Sequence, residues 1–413
     1  MFHRRYAESR NGAQQLRSAP GEPRELAAII RWILTDGRDI PTMARFVRAL
    51  SQRLLELGVP LWRVTIYAAT LHPQIHGFGW RWWRNLRATE EVRIQRGVEL
   101  TYDYQTSPMR ETIETGAHVR YRLDASSDKV SFLSELRAQG GTDYVVVPLN
   151  RVRQRFPVAA WATDRSGGFD ERDLLVLEAI RPALATLVEV NVLRRTARSL
   201  FSIYHSHQVG ERIFDGQILR GNVDLLPAVI MATDLRGFTA LSDRLPGESV
   251  VRALNDYFEH VATSVDVAGG LVLKFIGDGA LAIFSAEGGR EKQAALAGLS
   301  AAREIVNRLD NYVGAQDGQT AIQLRAGVGL HIGNVLYGNV GAPDRLDFTV
   351  IGPAVNLAFR LESLTKDLQR PILASAAFAQ ALPLPLRSLG RHPIRGLSEP
   401  EEVFGLTEHE TAT

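Results

Sequence analysis

The sequence predicts an α+β protein, because its helix and strand patterns fall into two differently organised regions. In the first region, two apolar helical patterns precede several short runs of β-branched and aromatic residues, and a long helical pattern follows. In the second region, strand and helix patterns alternate. Such alternation is typical of a mixed sheet that is covered by helices.

The length and composition of the chain limit the kinds of protein that it can be. The 413 residues are enough for two or three domains, and a hydrophobic fraction of 45% supports folded cores. The 48 Lys and Arg residues nearly balance the 46 Asp and Glu residues, so neither nucleic acid nor a membrane surface is an expected partner. The chain has no Cys, which excludes disulfides and thiolate metal sites and favours a cytoplasmic location.

No part of the sequence has the pattern of a membrane span, which needs about 18 uninterrupted apolar residues. The best candidate, residues 174–193, is interrupted by Glu178, Arg181 and Glu189. Residues 1–23 lack the apolar core of a signal peptide and have the composition of a flexible tail. We therefore expect a soluble protein.

Residues 24–188 are predicted to form one regulatory domain. Its stretches YVVVPL and FDERDLLVLEAIRPAL resemble GAF domains, and Asp170 is a candidate cap for the long helix. The resemblance implies a small-molecule or ion effector. Residues 189–222 are predicted to be a linker that begins with the end of this helix. The Trp and Arg cluster at residues 80–84 is interpreted as strand packing rather than as a ligand site.

In the C-terminal region, two carboxylates occupy the ends of predicted strands. Asp234 ends one strand, and Asp278 lies at the tip of a predicted hairpin. Paired carboxylates suit hard cations such as Mg²⁺, and Gly237 leads toward a helix whose backbone N–H groups can face a polyphosphate. For Asp278 alone, an ordinary Asp-Gly turn is the favoured interpretation.

Asn356 and Arg360 are four residues apart on a predicted helix and so share a face. A guanidinium group can stabilise charge on a transferring phosphate, and an amide can hold a sugar oxygen. A solvated helix face is the alternative interpretation of this pair.

Four motifs in order extend this pattern: ATDLRGFT, LKFIGDGALAIF, GLHIGNVLYGNVG and FTVIGPAVNLAFRLE. Together they resemble the catalytic domain of class III nucleotide cyclases, with a ferredoxin-like fold expected over residues 223–413. The resemblance implies these roles: Asp234 and Asp278 bind two Mg²⁺ or Mn²⁺ ions, Lys274 and Thr349 the base, Asn356 the ribose, Arg360 the α-phosphate, and Gly237, Phe238 and Arg395 other parts of the nucleotide.

The base-binding residues favour ATP. Adenine presents an acceptor at N1 and a donor at its amino group, whereas guanine presents the reverse pattern. Lys274 only donates and Thr349 can donate or accept, so the pair fits adenine. Thr349 resembles the bicarbonate-responsive subgroup and leaves the discrimination softer than an aspartate would.

The resemblance implies an adenylate cyclase that acts as a homodimer with two composite sites and is regulated by its N-terminal domain. Two alternatives stay open at this point. One is a guanylate cyclase, and the other is a catalytically silent nucleotide-binding module. Pro353 and Phe359 depart from the family pattern, but neither departure removes a functional group.

Overall fold

The computed structural model describes residues 22–86, 89–124, 130–149, 157–312, 316–317, 320–396 and 398–406. The chain divides into two compact units, Met1–Leu200 and Phe201–Thr413. Residues 1–21 of the predicted tail lie outside the described residues. The predicted domain boundaries at residues 188 and 222 stay predictions. No helix in the described part of the chain is long and apolar enough to cross a membrane.

The N-terminal unit combines helices with one sheet. Its main elements in chain order are α1 (Glu22–Leu34), α2 (Met43–Glu56), β1 (Arg63–Ala69), β2 (Ile75–Trp83), β3 (Thr89–Gln95), α3 (Tyr102–Gln105), α4 (Pro108–Thr115), β4 (Val119–Arg122), α5 (Ser131–Ala138), β5 (Asp143–Pro148), β6 (Val158–Thr163) and α6 (Glu171–His205).

The six strands form an antiparallel sheet in the order β3-β2-β1-β6-β5-β4. Strand β1 is buried on both faces, because its alternate side chains enter two different cores. Val64 and Ile66 join the core formed with α1, α2 and α6. Tyr67 joins the second core, which includes Leu133 and Leu136 of α5.

The predicted helices of this unit are confirmed, and so is the cap at Asp170. The carboxylate of Asp170 accepts a hydrogen bond from the N–H of Asp173 at 2.9 Å, and the carboxylate of Asp173 accepts one from the N–H of Asp170 at 2.9 Å. Helix α6 continues through Pro182 to His205. The sequence analysis missed β3 and the short helices α3 to α5, whose patterns are too brief to show a period.

The C-terminal unit contains a second sheet with helices on both faces. Its elements in chain order are α7 (His207–Phe214), β7 (Val223–Leu235), α8 (Phe238–Arg244), α9 (Gly247–Val267), β8 (Leu271–Ile276), β9 (Gly279–Ser285), α10 (Glu291–Asp310), β10 (Gln316–Asp317), β11 (Thr320–Ala321), β12 (Ala326–Ala342), β13 (Arg345–Ile351), α11 (Pro353–Asp367), β14 (Ile372–Ser375), α12 (Ala376–Ala381), β15 (Arg387–His392) and β16 (Glu401–Gly405).

The eight-stranded sheet has the order β15-β16-β14-β12-β7-β9-β8, and β13 pairs with β12. The pairing of β12 with β14 is parallel and the other described pairings are antiparallel, which confirms the predicted mixed sheet. Helices α9, α10 and α12 contribute to the core on one face. Helices α7 and α11 contribute to the core on the other face.

Candidate active site

Two carboxylates meet at one end of strands β7 and β9. The strand register pairs Asp234 with Gly279, and the N–H of Leu235 donates to the carbonyl of Asp278 at 3.1 Å. A Cβ on Gly279 would lie 2.6 Å from the carbonyl oxygen of Thr233, so only glycine allows this close approach. Burial, and then the negative charge of Asp234, raise the pKa of Asp278. The two side chains therefore form a like-charged pair.

A third carboxylate and a lysine from α11 face this pair. The ammonium of Lys366 donates to Asp234 Oδ2 at 2.9 Å. Glu362 is 4% exposed, and its Oε1 has no hydrogen-bond partner among the residues that the structure describes. Burial, and then Asp234, raise the pKa of Glu362 to about 7. We call Asp234, Asp278 and Glu362 the acidic edge.

The sequence analysis did not assign Glu362 or Lys366, although both carry a usable signal. They are four residues apart on one helix, so they share a face. Gly327 supports their position, because a Cβ there would lie 2.7 Å from Glu362 Oε1. Neither residue could be placed beside Asp234 from spacing alone, since 132 residues separate Lys366 from Asp234.

The acidic edge fits a hard divalent cation. Mg²⁺ is commonly bound by one or two carboxylates, with waters and substrate phosphates as its other ligands. Within the described ranges, no group of three or more His, Cys, Asp or Glu side chains has metal-binding geometry. The candidate metal ligands from the chain are therefore the two aspartates, and waters or substrate phosphates would supply the other oxygen ligands.

The predicted residues Gly237 and Phe238 follow directly at the turn into α8. Gly237 is the N-cap residue and adopts the left-handed conformation with φ 71°. Phe238 is half-buried against the core beneath α8 and α9. The ring of Phe238 therefore packs against the core. The backbone of Gly237 is exposed, and it follows Asp234 of the acidic edge closely in the chain.

A second cluster joins β8 to β13. The ammonium of Lys274 donates to Asp347 Oδ2 at 2.6 Å. Thr349 lies two residues further along β13, so it faces the same side as Asp347. Thr349 is 4% exposed, and its hydroxyl has no hydrogen-bond partner within the residues that the structure describes. We call Lys274, Asp347 and Thr349 the lysine cluster.

Asp347 is the residue of this cluster that the sequence analysis missed. Its signal was the Asp-x-Thr spacing, which places both side chains on one face of a strand. The pairing with Lys274 depends on the approach of β13 to β8, because 73 residues separate the two side chains in the chain.

Asn356 and Arg360 share a face of α11, as predicted. Asn356 is exposed, Arg360 is half-buried, and Pro353 occupies the first turn of the helix. At about 100° per residue, the mean direction of these two side chains differs by about 120° around the helix axis from that of Glu362 and Lys366. One helix therefore presents different residues in two directions.

The C-terminal strands bring the predicted residue Arg395 next to this face. Arg360 lies against Gly396, because a Cβ on Gly396 would be 2.9 Å from Arg360 Nη2. Gly396 has φ 81°, a conformation that glycine adopts without strain. Arg395 itself is exposed.

The chain thus assembles two separate groups of predicted residues. In the described part of the chain, no hydrogen bond or ion pair connects the acidic edge with the lysine cluster. Arg360 and Asn356 likewise have no such bond to the acidic edge among those residues. The acidic edge contains the residues predicted to bind metal, and the lysine cluster contains the residues predicted to bind the base.

Comparisons with known proteins identify the C-terminal unit. Residues 226–403 match the family model described as the adenylate and guanylate cyclase catalytic domain. This unit therefore carries a class III adenylate/guanylate cyclase catalytic domain. Cyclases of this class depend on metal ions and act on nucleotides, but the family includes enzymes for both bases.

Similar proteins include an adenylate cyclase of Anabaena cylindrica, 34% identical over 157 residues, which are 38% of this chain and 31% of that protein. Adenylate cyclase 1 of Rhizobium meliloti is 32% identical over 176 residues, 42% of this chain and 26% of that protein. The chain spans about a third or less of these relatives. The crystal structure of the adenylyl cyclase CyaB from P. aeruginosa is 28% identical, covers 45% of this chain and 96% of that chain, and has a TM-score of 0.41.

Proposed function

We propose that the protein is an adenylate cyclase that converts ATP to 3′,5′-cyclic AMP and pyrophosphate. The observation that carries the choice of ATP is the lysine cluster. Lys274 offers hydrogen-bond donors only, and its ammonium lies 2.6 Å from Asp347. An ammonium suits the N1 acceptor of adenine, while guanine presents a donor at N1.

Thr349 completes base recognition in this proposal. Its hydroxyl is buried without a protein partner among the described residues, so it is available to accept from the amino group of adenine. A buried hydroxyl that stays unpaired would be unfavourable by about 1–3 kcal/mol. Binding of the base would remove that penalty.

Asp234 and Asp278 would hold two Mg²⁺ or Mn²⁺ ions. When bound, these ions neutralise phosphate charge and lower the pKa of the ribose 3′-hydroxyl. The chain's own part here is to keep two carboxylates adjacent, with Lys366 as a counter-charge at 2.9 Å from Asp234. The raised pKa of Asp278 indicates that this pair favours a gain of positive charge.

In the reaction, the ribose 3′-hydroxyl would release its proton to water, the bond from its oxygen to the α-phosphorus would form, and the bond from that phosphorus to the pyrophosphate oxygen would break. Asn356 would orient the ribose, and Arg360 would neutralise charge that develops at the α-phosphate. Gly237, Phe238 and Arg395 would contact other parts of the nucleotide. Positioning and charge stabilisation account for most of the catalysis, as in phosphoryl transfer generally.

The two groups of residues would meet in a homodimer. The acidic edge of one protomer would face the lysine cluster, Asn356 and Arg360 of its partner. A two-fold axis then creates two identical composite sites. The separation of the groups within one chain supports this arrangement.

The N-terminal region would regulate these sites. We propose a GAF-like domain over residues 24–188, a linker over 189–222 and a catalytic domain over 223–413. Small movements of the linker would alter how the two catalytic domains meet. Deletion of residues 1–188 should change the rate or its regulation, and unchanged kinetics would contradict this role.

The central experiment is a product assay on the purified full chain with ATP or GTP and with Mg²⁺ or Mn²⁺. We expect cyclic AMP and pyrophosphate from ATP, lost by about 100-fold or more in Asp278→Asn. Asp310→Asn, which alters an exposed carboxylate at the end of α10, is the matched control and should keep full activity.

Each other outcome selects an alternative. Faster turnover of GTP than of ATP would identify a guanylate cyclase. Nucleotide binding by a folded dimer without product, with either metal, would identify a silent signalling module.

A further inference from the structure

One face of the N-terminal sheet carries positive charge among small residues. By strand register, Arg63 of β1 lies opposite Ala162 of β6, and Ala162 lies opposite Tyr144 of β5. Directly paired residues point to the same face of a sheet. Arg63 and Tyr144 therefore flank the small side chain of Ala162 on this face.

Arg63 is a buried cation without an ionic partner. It is 9% exposed, its Nε has no hydrogen-bond partner, and it makes no ion pair with any residue that the structure describes. Its guanidinium lies 5.1 Å from the ring centre of Trp83 and 5.4 Å from that of Phe132. These cation–π contacts offset only part of the hydration that the guanidinium loses on burial, since they do not replace its hydrogen bonds to water.

A second arginine on the same face adds to this positive charge. Arg81 of β2 pairs with Thr65, one alternate position along β1 from Arg63. The charge of Arg81 and, above all, burial lower the pKa of Arg63. Tyr144, Glu135 and Glu90 act on the pKa of Arg63 in the opposite direction, and within the described part of the chain none of them makes an ion pair with it.

Tyr144 supplies a second unused donor. It is 2% exposed, and its hydroxyl has no hydrogen-bond partner within the described ranges. The ring of Phe132 contacts both residues, because it also meets the ring of Tyr144 edge-on at 5.5 Å. Two such donors, placed by the strand register on either side of Ala162, match an oxygen-rich anion.

The same unit shows how another buried charge, that of Asp143, is satisfied. Asp143 has a fully buried side chain, yet Arg120 contacts it at 2.6 Å and the N–H of Phe169 donates to it at 2.9 Å. This carboxylate needs no ligand. Among the residues that the structure describes, Arg63 has no equivalent ionic partner, so its charge is balanced differently from that of Asp143.

We propose that this face of the N-terminal sheet binds a small ligand with a carboxylate or phosphate group, whose oxygens accept from Arg63 and Tyr144. Negative charge at this point would also relieve the repulsion between Arg63 and Arg81. The site is independent of the proposed cyclase activity, because it lies within the N-terminal unit.

The test uses calorimetric titration of the intact chain with two probes, inorganic phosphate and acetate, in separate arms. We expect saturable binding of at least one probe. The probe that binds more tightly shows whether the ligand carries a phosphate or a carboxylate group. Arg63→Met should weaken that binding by about tenfold or more, and Tyr144→Phe should weaken it less. Arg93→Met, which removes an exposed arginine of β3, should leave it unchanged.

Thermal unfolding without added anion supplies a second readout. Arg63→Met should melt at a higher temperature than the wild type, because it replaces a buried unpaired charge with an apolar side chain. A lower melting temperature would show that Arg63 serves to clamp the two rings and would overturn the site. Titrations without saturable binding, or equal binding by Arg63→Met, would overturn it as well.

Discussion

The acidic edge and the lysine cluster lie in the same unit but differ in how their charges are balanced. The acidic edge contains three carboxylates. Asp234 is paired with Lys366, and Glu362 has a buried oxygen with no hydrogen-bond partner in the described part of the chain. The lysine cluster is balanced, since Lys274 and Asp347 neutralise each other beside the hydroxyl of Thr349.

This difference indicates what each group requires. Excess negative charge at the acidic edge is relieved by cations, whereas the lysine cluster offers directional hydrogen bonds and no excess charge. A cyclase needs both functions at a single nucleotide. Since the chain does not bring them into contact among its described residues, we propose that a partner protomer supplies the missing half.

The largest expected effect comes from mixing two inactive variants. Asp234→Asn disables the acidic edge, and Arg360→Ala disables the face of α11 that would act with the lysine cluster. We expect each homodimer to lose about 100-fold or more in turnover. Heterodimers should contain one intact composite site, so co-expression should restore up to about a quarter of wild-type activity.

Cyclic AMP formation by co-expressed chains with different affinity tags is the measurement. A mixture of Asp234→Asn with Asp278→Asn is the control, because both substitutions lie in the acidic edge and every composite site of the heterodimer then carries one of them. If the first mixture stayed as inactive as the control despite heterodimer formation, both halves would belong to one protomer.

A smaller effect is expected from Lys274→Glu. The substitution replaces a donor with an acceptor and places a second carboxylate beside Asp347, so kcat/KM for ATP should fall by about 10–100-fold relative to GTP. Lys292→Glu, at an exposed position of α10, is the matched control. An unchanged ratio of the two substrates would remove Lys274 from base selection.

The smallest expected effect concerns Glu362, whose pKa in the fold is about 7 against an ordinary value of 4.5. The folded state keeps this proton between about pH 4.5 and 7, while the unfolded chain loses it. Stability therefore falls as pH rises through that window. Glu362→Gln imitates the protonated form, so it should be more stable than the wild type by about 1–3 kcal/mol at pH 8 and nearly equal at pH 4.5.

Thermal melts of the C-terminal unit's transition, taken in chelator from pH 4.5 to 8, measure this difference. Glu304→Gln is the control, since Glu304 pairs with Arg308 on the surface of α10. A difference that is constant with pH would show that titration of Glu362 does not affect stability.

The local sequence pattern was sufficient to predict many of the helices and strands. The amphipathic helix that became α9, the hairpin around Asp278 and the Pro353 helix start were all predicted, because each depends on neighbouring residues alone. The short helices of the N-terminal unit were missed, since four to eight residues are too few to establish a helical period.

The sequence by itself determined the class of catalytic domain, because spaced motifs preserve the residue types that the chemistry needs. Only the tertiary structure revealed that Lys366 and Glu362 face Asp234 and that Asp347 pairs with Lys274. It also revealed that Arg63 is buried without an ionic partner among the described residues. The physical reason is that burial and charge pairing depend on contacts between residues far apart in the chain. Such contacts leave no period or spacing in the sequence.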